Sequence, residues 1–117
     1  MYNETGSVTE DIVFETCGRC LMWHTKRKLS QRYSLRWRKA VRRKVIKGKE
    51  VSDSVLSLFI NLINEEGVEE VYIGLYTIQV RITDKKTKNR IFNNINEKIC
   101  NTLFSGKKCV ISIRRME

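Results

Sequence analysis

Residues 68–83, VEEVYIGLYTIQVRIT, carry a clear strand signal in this 117-residue chain. The stretch is rich in β-branched and aromatic residues, which strands favour because such side chains pack well on a pleated, half-buried surface. Apolar residues first occupy odd-numbered positions, Val71, Ile73 and Leu75, and then even-numbered positions, Ile78, Val80 and Ile82. A change of parity near Thr77 predicts either a β-bulge or two strands joined end to end.

Amphipathic helices are predicted on both sides of this stretch. In residues 53–66 apolar side chains recur every three or four positions, which is the spacing of one helix face. Ser52 or Asp53 can accept hydrogen bonds from the free amides of the first turn, and Gly67 suits the end of the helix. The same apolar spacing predicts a helix over residues 90–104.

A further helix is predicted in residues 31–47. Four apolar or aromatic residues recur there at every fourth position and give one apolar stripe: Tyr33, Trp37, Val41 and Val45. Gly48 follows as a helix stop, since glycine adopts the left-handed conformation that often ends a helix. Basic side chains flank the stripe, so the sequence predicts an arginine-rich amphipathic helix.

The order of these elements predicts the fold class. Short strands are expected at 12–14 and 108–115, in addition to those of 68–83. Together the elements predict an α+β fold, a small sheet with about three helices packed on one side. The chain length fits a single domain over residues 1–117. Its expected parts are a frayed N-terminus (1–12), a Cys-x-x-Cys knuckle with the basic helix (17–49) and an α+β body (50–117).

Positive charge is concentrated in the first half of the chain. The net charge is +10, and residues 1–50 contain 13 basic and 5 acidic residues. The segment from Lys26 to Lys49 alone contains twelve Lys or Arg and no Asp or Glu. Because no acid stands four residues away to relieve the repulsion, such a segment is stabilised by a docked polyanion. Nucleic acid is the expected partner.

The predicted contacts to nucleic acid follow from the chemistry of these side chains. The planar arginine fork matches paired phosphate oxygens, and aromatic rings can stack on exposed bases, which favours RNA or single strands over duplex DNA. Trp23, Tyr33 and Trp37 are candidates for stacking, and core packing is the alternative for each. The predicted nucleic-acid-binding residues are Trp23, Lys26, Arg27, Lys28, Arg32, Arg36, Arg38, Lys39, Arg42, Arg43 and Lys44.

Other functions of the basic segment stay open. It is also typical of a solvated helix face, a nuclear localisation signal, or an adaptor helix that docks an acidic protein partner. A calmodulin target or a helix on an acidic membrane is disfavoured, because the apolar stripe is narrow. No enzymatic activity is predicted, since the chain has one histidine, no phosphate-binding glycine loop and no carboxylate pair in an apolar setting.

The cysteines predict a zinc site. Cys17 and Cys20 are two residues apart around Gly18, so both thiolates can reach one ion, and zinc requires four ligands. His24 is the expected third ligand, and Cys109 or Cys100 the fourth. The alternatives are unligated thiols and a thioredoxin-like redox pair, and the latter is disfavoured because no βαβ pattern surrounds the motif.

The sequence also predicts the setting of the protein. It contains no apolar run long enough to span a bilayer, and its first twenty residues lack the apolar region of a secretory signal. An intracellular location is therefore expected, cytoplasmic or nuclear, where cysteines serve as metal ligands or plain thiols rather than disulfides.

The motif Cys17, Cys20 and His24 beside the basic run to Lys49 resembles the small accessory proteins of plant RNA viruses. Several of those are zinc-binding suppressors of RNA silencing or movement factors, including the first-frame proteins of sobemoviruses. The resemblance covers under a third of the chain. It implies RNA, or a host component of RNA silencing, as the partner.

Overall fold

The computed structural model of the chain describes residues 12–29, 35–39, 43–46, 52–104 and 111–116, with only the backbone described for 43–46, 115 and 116. Seven strands are present in this part of the chain: β1 (Ile12–Cys17), β2 (Cys20–Thr25), β3 (Leu35–Arg38), β4 (Arg43–Ile46), β5 (Val68–Ile73), β6 (Thr77–Ile82) and β7 (Ile111–Met116). The helices are α1 (Asp53–Ile63) and α2 (Lys88–Leu103), with a short 3-10 turn at Lys85–Thr87.

All seven strands belong to one sheet in the order β4-β3-β5-β6-β2-β1-β7. Every neighbouring pair is antiparallel except β1 and β7, which are parallel. The hairpin of β5 and β6 lies near the centre, and the hairpin of β1 and β2 pairs with it through β2 and β6. A register shift between Phe14 and Glu15 bends β1 against β7.

Both helices pack on one face of the sheet and enclose a single apolar core. In α2 every fourth residue is buried, namely Ile91, Ile95, Ile99 and Leu103, and α1 buries Val55, Leu58, Phe59 and Leu62. The sheet contributes alternate residues of its strands to the same core, including Phe14, Leu21, Leu35, Val71, Val80 and Ile82. The opposite parity of each strand therefore points away from the helices.

The prediction of a small sheet with about three helices and a zinc-binding knuckle is wrong. The described residues form a seven-stranded sheet with two α-helices, and the basic helix expected over 31–47 is replaced by β3 and β4 where the chain is described. Leu35 is buried, Arg36 exposed, Trp37 half-buried and Arg38 exposed, which is the period of a strand. Pairing with β5 buries Leu35 opposite Ile73, whereas a helix would have stacked unrelieved positive charges.

Several predictions for individual elements are confirmed. Helix α1 begins at Asp53 with the Ser52 hydroxyl accepting from the Val55 amide at 3.2 Å, and α2 occupies the second predicted helical stretch. The first strand exists and is longer than expected, and the last strand is found at 111–116. The prediction of a bulge or of two strands joined end to end near Thr77 is wrong, because the change marks the turn of a hairpin, residues 74–76, that folds β6 back against β5.

Glu65 ties the end of α1 to α2. Its side chain is 9% exposed, and its carboxylate accepts hydrogen bonds from Lys98 Nζ at 2.8 Å and Asn94 Nδ2 at 3.1 Å. Burial of this carboxylate acts to raise its pKa and is the largest single influence, but the two hydrogen bonds and the positive charges of Lys98 and Arg90 together outweigh it. The pKa of Glu65 is therefore lowered below its ordinary value.

We expect Glu65→Gln to lower the free energy of unfolding by about 1–2 kcal/mol at pH 7, because it removes a charged acceptor from buried hydrogen bonds. A lowered native pKa stabilises the fold above the unfolded pKa, and that contribution is lost as the pH falls below the ordinary value of 4.5. The difference between variant and wild type should therefore shrink in urea titrations from pH 7 to pH 3. The matched control is Glu66→Gln at the neighbouring exposed position, and an equal pH dependence of both variants would contradict this role.

Trp23 is fully buried beneath α2, and its indole nitrogen donates to Asn96 Oδ1 at 2.7 Å. We expect Asn96→Ala to cost about 1–3 kcal/mol in urea denaturation, because the buried indole N–H is left without an acceptor. Asn93→Ala, at an exposed position of the same helix, makes the same change of helix propensity and serves as the control. Equal stability of the two variants would show that this bond does not anchor α2.

Candidate nucleic-acid interface

The sheet face opposite the helices is called the open face here, since no described element packs on it. Its side chains come from the strand positions that alternate with the core, and cross-strand register places them in two rows. One row is Arg38, Glu70, Arg81, Cys20 and Cys17; the other is Arg36, Tyr72, Gln79, Met22 and Glu15. His24 and Thr77 are neighbours in a third row.

Arg36 and Tyr72 form a flat cationic and aromatic pair in the second row. The guanidinium carbon of Arg36 lies 5.3 Å from the centre of the Tyr72 ring, within the range of a cation–π interaction. Gly74 leaves room for the ring, because a Cβ at this position would lie 2.9 Å from the Tyr72 hydroxyl oxygen. The Tyr72 ring therefore lies close to the sheet backbone at Gly74, with the Arg36 guanidinium next to the ring.

Three carboxylates are each shared by two basic groups near this face. Glu69 Oε1 lies 3.0 Å from Arg19 and 3.3 Å from Arg81, and Glu70 Oε2 lies 3.4 Å from Arg38 and 3.9 Å from Arg81. Glu15 Oε2 likewise lies 2.7 Å from Arg114 and 3.1 Å from His24 Nε2.

These ion pairs leave an excess of positive charge at the surface. The arginine side chains in them are 39–61% exposed, so each pair adds little stability. Their effect is on geometry, because the shared carboxylates orient guanidinium groups that still present N–H donors to solvent.

The excess of positive charge among the described residues lies in the sheet layer. The sheet layer consists of the seven strands, the adjoining residues 18–19, 26–29, 39, 67 and 74–76, and Thr83. It contains twelve basic and three acidic residues, a net charge of +9. The helical layer, residues 52–66 and 84–104, contains five basic and five acidic residues and is neutral. The sequence shows only that the first half of the chain is basic, whereas the fold collects the charge in one layer.

The predicted nucleic-acid-binding residues divide into several groups. Arg36, Arg38 and Lys39 are exposed at β3, and Lys26, Arg27 and Lys28 are exposed in the turn after β2. Arg43 and Lys44 lie on β4, with Arg43 paired with Arg38 in the backbone register. Arg32, Tyr33 and Arg42 lie outside the described residues.

The prediction that Trp23 stacks on bases is wrong. Its side chain is fully buried, 4.9 Å from Phe14 and 6.2 Å from Phe92 between ring centres, and it serves the core. Trp37 is half-buried and packs against the same core, which is the alternative to base stacking that the sequence left open for it.

The predicted zinc ligands are not brought together. Cys17 and Cys20 face each other across a two-residue β-turn, in which Gly18 has φ +60°, rather than in an irregular knuckle. His24 is four residues along β2 from Cys20, which is about 13 Å in a strand, too far for a shared ion. Its ring nitrogens contact Glu15 and Thr77.

No group of three or more His, Cys, Asp or Glu side chains among the described residues is arranged to hold a metal ion. Cys109, the expected fourth ligand, lies outside them. Cys100, the other candidate, is disulfide-bonded, against the expectation that the cysteines are plain thiols or metal ligands. Cys17 and Cys20 are free thiols.

Tyr72, Gln79 and Arg81 on the open face were missed at the level of sequence, as were Arg19 and Arg114. The signal was present, because Gln79 and Arg81 alternate with the apolar Ile78, Val80 and Ile82 and so belong to the opposite face. What the sequence lacks is the neighbour of each strand, and therefore which polar residues stand side by side.

Comparisons with protein families, with characterised proteins and with solved structures found no match to this chain. Neither described helix is long and apolar enough to cross a membrane.

The two free thiols differ in exposure. Cys17 is exposed, whereas Cys20 is half-buried, and burial raises the pKa of the Cys20 thiol although nearby Arg81 opposes the shift. We therefore expect iodoacetamide at pH 8 to modify Cys17 faster than Cys20, because the thiolate is the reactive form.

Peptide mass spectrometry of wild type, Cys17→Ser and Cys20→Ser measures both alkylation rates. The thiol left in Cys17→Ser should need a higher pH for half-maximal rate than the thiol of an unstructured cysteine peptide, because burial raises the pKa of Cys20. A faster reaction at Cys20 would contradict the difference in burial.

Proposed function

We propose that this protein is a non-enzymatic nucleic-acid-binding protein that binds single-stranded nucleic acid, RNA in the first place, on the open face of its sheet. The observation that carries the proposal is the separation of charge between the two layers, +9 in the sheet layer against zero in the helical layer. A polyanion is attracted to the layer that holds the excess charge.

The open face offers the two kinds of contact that single strands need. Arginines in fixed orientation supply phosphate contacts, from Arg38 and Arg81 in one row and from Arg36 in the other. Unstacked bases can stack on the guanidinium plane of Arg36 or beside Tyr72, which duplex DNA does not allow. The polar side chain of Gln79, next to Tyr72 in the same row, can donate and accept hydrogen bonds to a base edge.

This proposal replaces the predicted mode of binding and keeps the predicted partner. The predicted mode used an arginine-rich helix, whereas the exposed sheet face suits a single strand lying across several β-strands. Lys26 and Lys28 in the turn after β2 extend the positive charge beyond the strands, whereas Arg27 Nη1 donates to the carbonyl oxygen of Leu103 at the end of α2.

We expect the double variant Arg36→Gln/Arg38→Gln to weaken binding of single-stranded RNA and to reduce the salt slope of log K by about 1.4, or 0.7 for each lost phosphate contact. Fluorescence anisotropy with labelled single-stranded RNA, single-stranded DNA and duplex DNA, at several salt concentrations between 50 and 200 mM, measures both quantities. Wild type should bind the single strands more tightly than the duplex.

The matched control is Lys85→Gln/Lys86→Gln, which removes the same charge from two exposed positions in the helical layer. It should leave the salt slope nearly unchanged if binding uses the open face. An equal loss in both double variants would contradict the location of the site. Absence of binding at 50 mM salt would contradict the function itself and favour an acidic protein partner.

A further inference from the structure

We propose that Cys17 and Cys20 form a binding site for one Cu(I) ion held by two thiolates. This inference does not depend on nucleic-acid binding. It departs from the zinc prediction, since zinc requires four ligands and the described residues offer no third one at this place. A soft monovalent ion that accepts two sulfur ligands needs only the pair.

The first support is the position of the two thiols. Cys17 and Cys20 are register partners that close the turn between β1 and β2, so their side chains leave the sheet on the same face. Opposite residues in an antiparallel pair have Cβ atoms about 4.5–5.5 Å apart. One ion can bridge two sulfurs whose Cβ atoms have this separation, and both thiols are free.

The second support is the pocket that the thiols share. A shallow pocket of about 170 Å³ is lined by Cys17, Cys20, Arg19, Glu70, Gln79 and Arg81. It is open to solvent at its Cys17 side, because that residue is exposed, so an ion can enter without rearrangement of the sheet. Both cysteines are free and line the same pocket.

The third support is the charge around the pair. Binding replaces two thiol protons by one Cu(I) ion and gives a bis-thiolate complex with a net charge of −1. Arg19 and Arg81 line the pocket and can stabilise this negative charge. The two arginines are oriented by Glu69, which both contact.

The test is an anaerobic titration of the full chain with Cu(I), supplied as its acetonitrile complex, against the chromophoric competitor bathocuproine disulfonate. We expect one equivalent of Cu(I) to be withdrawn from the competitor. Cys17→Ser and Cys20→Ser should each abolish this withdrawal.

Arg81→Gln tests the role of the surrounding charge. We expect it to weaken the apparent affinity about 10-fold or more, as loss of an outer partner of a metal site commonly does. Arg114→Gln, which removes an exposed arginine paired with Glu15 instead, should leave the affinity unchanged. Circular dichroism of each variant confirms that the fold is retained.

Three results would overturn the proposal. The first is no withdrawal of Cu(I) by wild type, and the second is withdrawal that survives the loss of either Cys17 or Cys20. The third is tight binding of Zn(II) to the same two cysteines in a parallel titration, since that would require further ligands and a different geometry.

Discussion

The pairing of β3 with β5 is the constraint on which the shape of this protein depends. It buries Leu35 opposite Ile73 and so draws a strongly basic segment into the sheet as a strand. Leu35 and Trp37 then contribute apolar surface to the core side, while Arg36 and Arg38 are forced to the other face by the alternation of the strand. Without a sheet edge to pair with, the same residues would gain nothing from an extended conformation.

The core on the helical side fixes which sheet face stays open. Trp23, Phe14 and Phe92 form one aromatic group beneath α2, and the indole nitrogen is satisfied by Asn96. Because a buried indole needs both apolar surroundings and an acceptor for its N–H, this contact holds α2 against the hairpin of β1 and β2. The side chains at the alternate positions of these strands, including Cys17, Cys20 and His24, then point away from the helices.

The arginines and the two free thiols lie on the open face because all of them occupy strand positions that alternate with the core. The first row places Arg38 and Arg81 on either side of Glu70 and carries on through Cys20 to Cys17. One face therefore combines orientated guanidinium groups, an arginine–tyrosine pair and two free thiols. The proposed binding of a polyanion and of a soft ion both use positive charge that the fold has gathered in one layer.

The sequence by itself determined the local elements whose signals lie within a few residues. The apolar spacing of α1 and α2 and the cap at Ser52 predicted both helices, and the β-branched residues of 68–83 predicted strands, because these signals act over one or two turns. The excess of positive charge, and with it the expectation of a polyanionic partner, also follows from composition alone.

Only the tertiary structure decided the rest. In the basic segment the spacing of Tyr33, Trp37, Val41 and Val45 matched a helix. Pairing with a distant strand overrode that spacing around Trp37, since burial against β5 depends on residues 32 to 38 positions away. The neighbours within the candidate site also depend on the tertiary structure. Strand order places Tyr72, Gln79 and Arg81 near Arg36, Arg38 and Cys20, and no local sequence pattern encodes that order. His24 lies far from Cys20 for an equally simple reason, because a strand extends where a compact knuckle would have folded back.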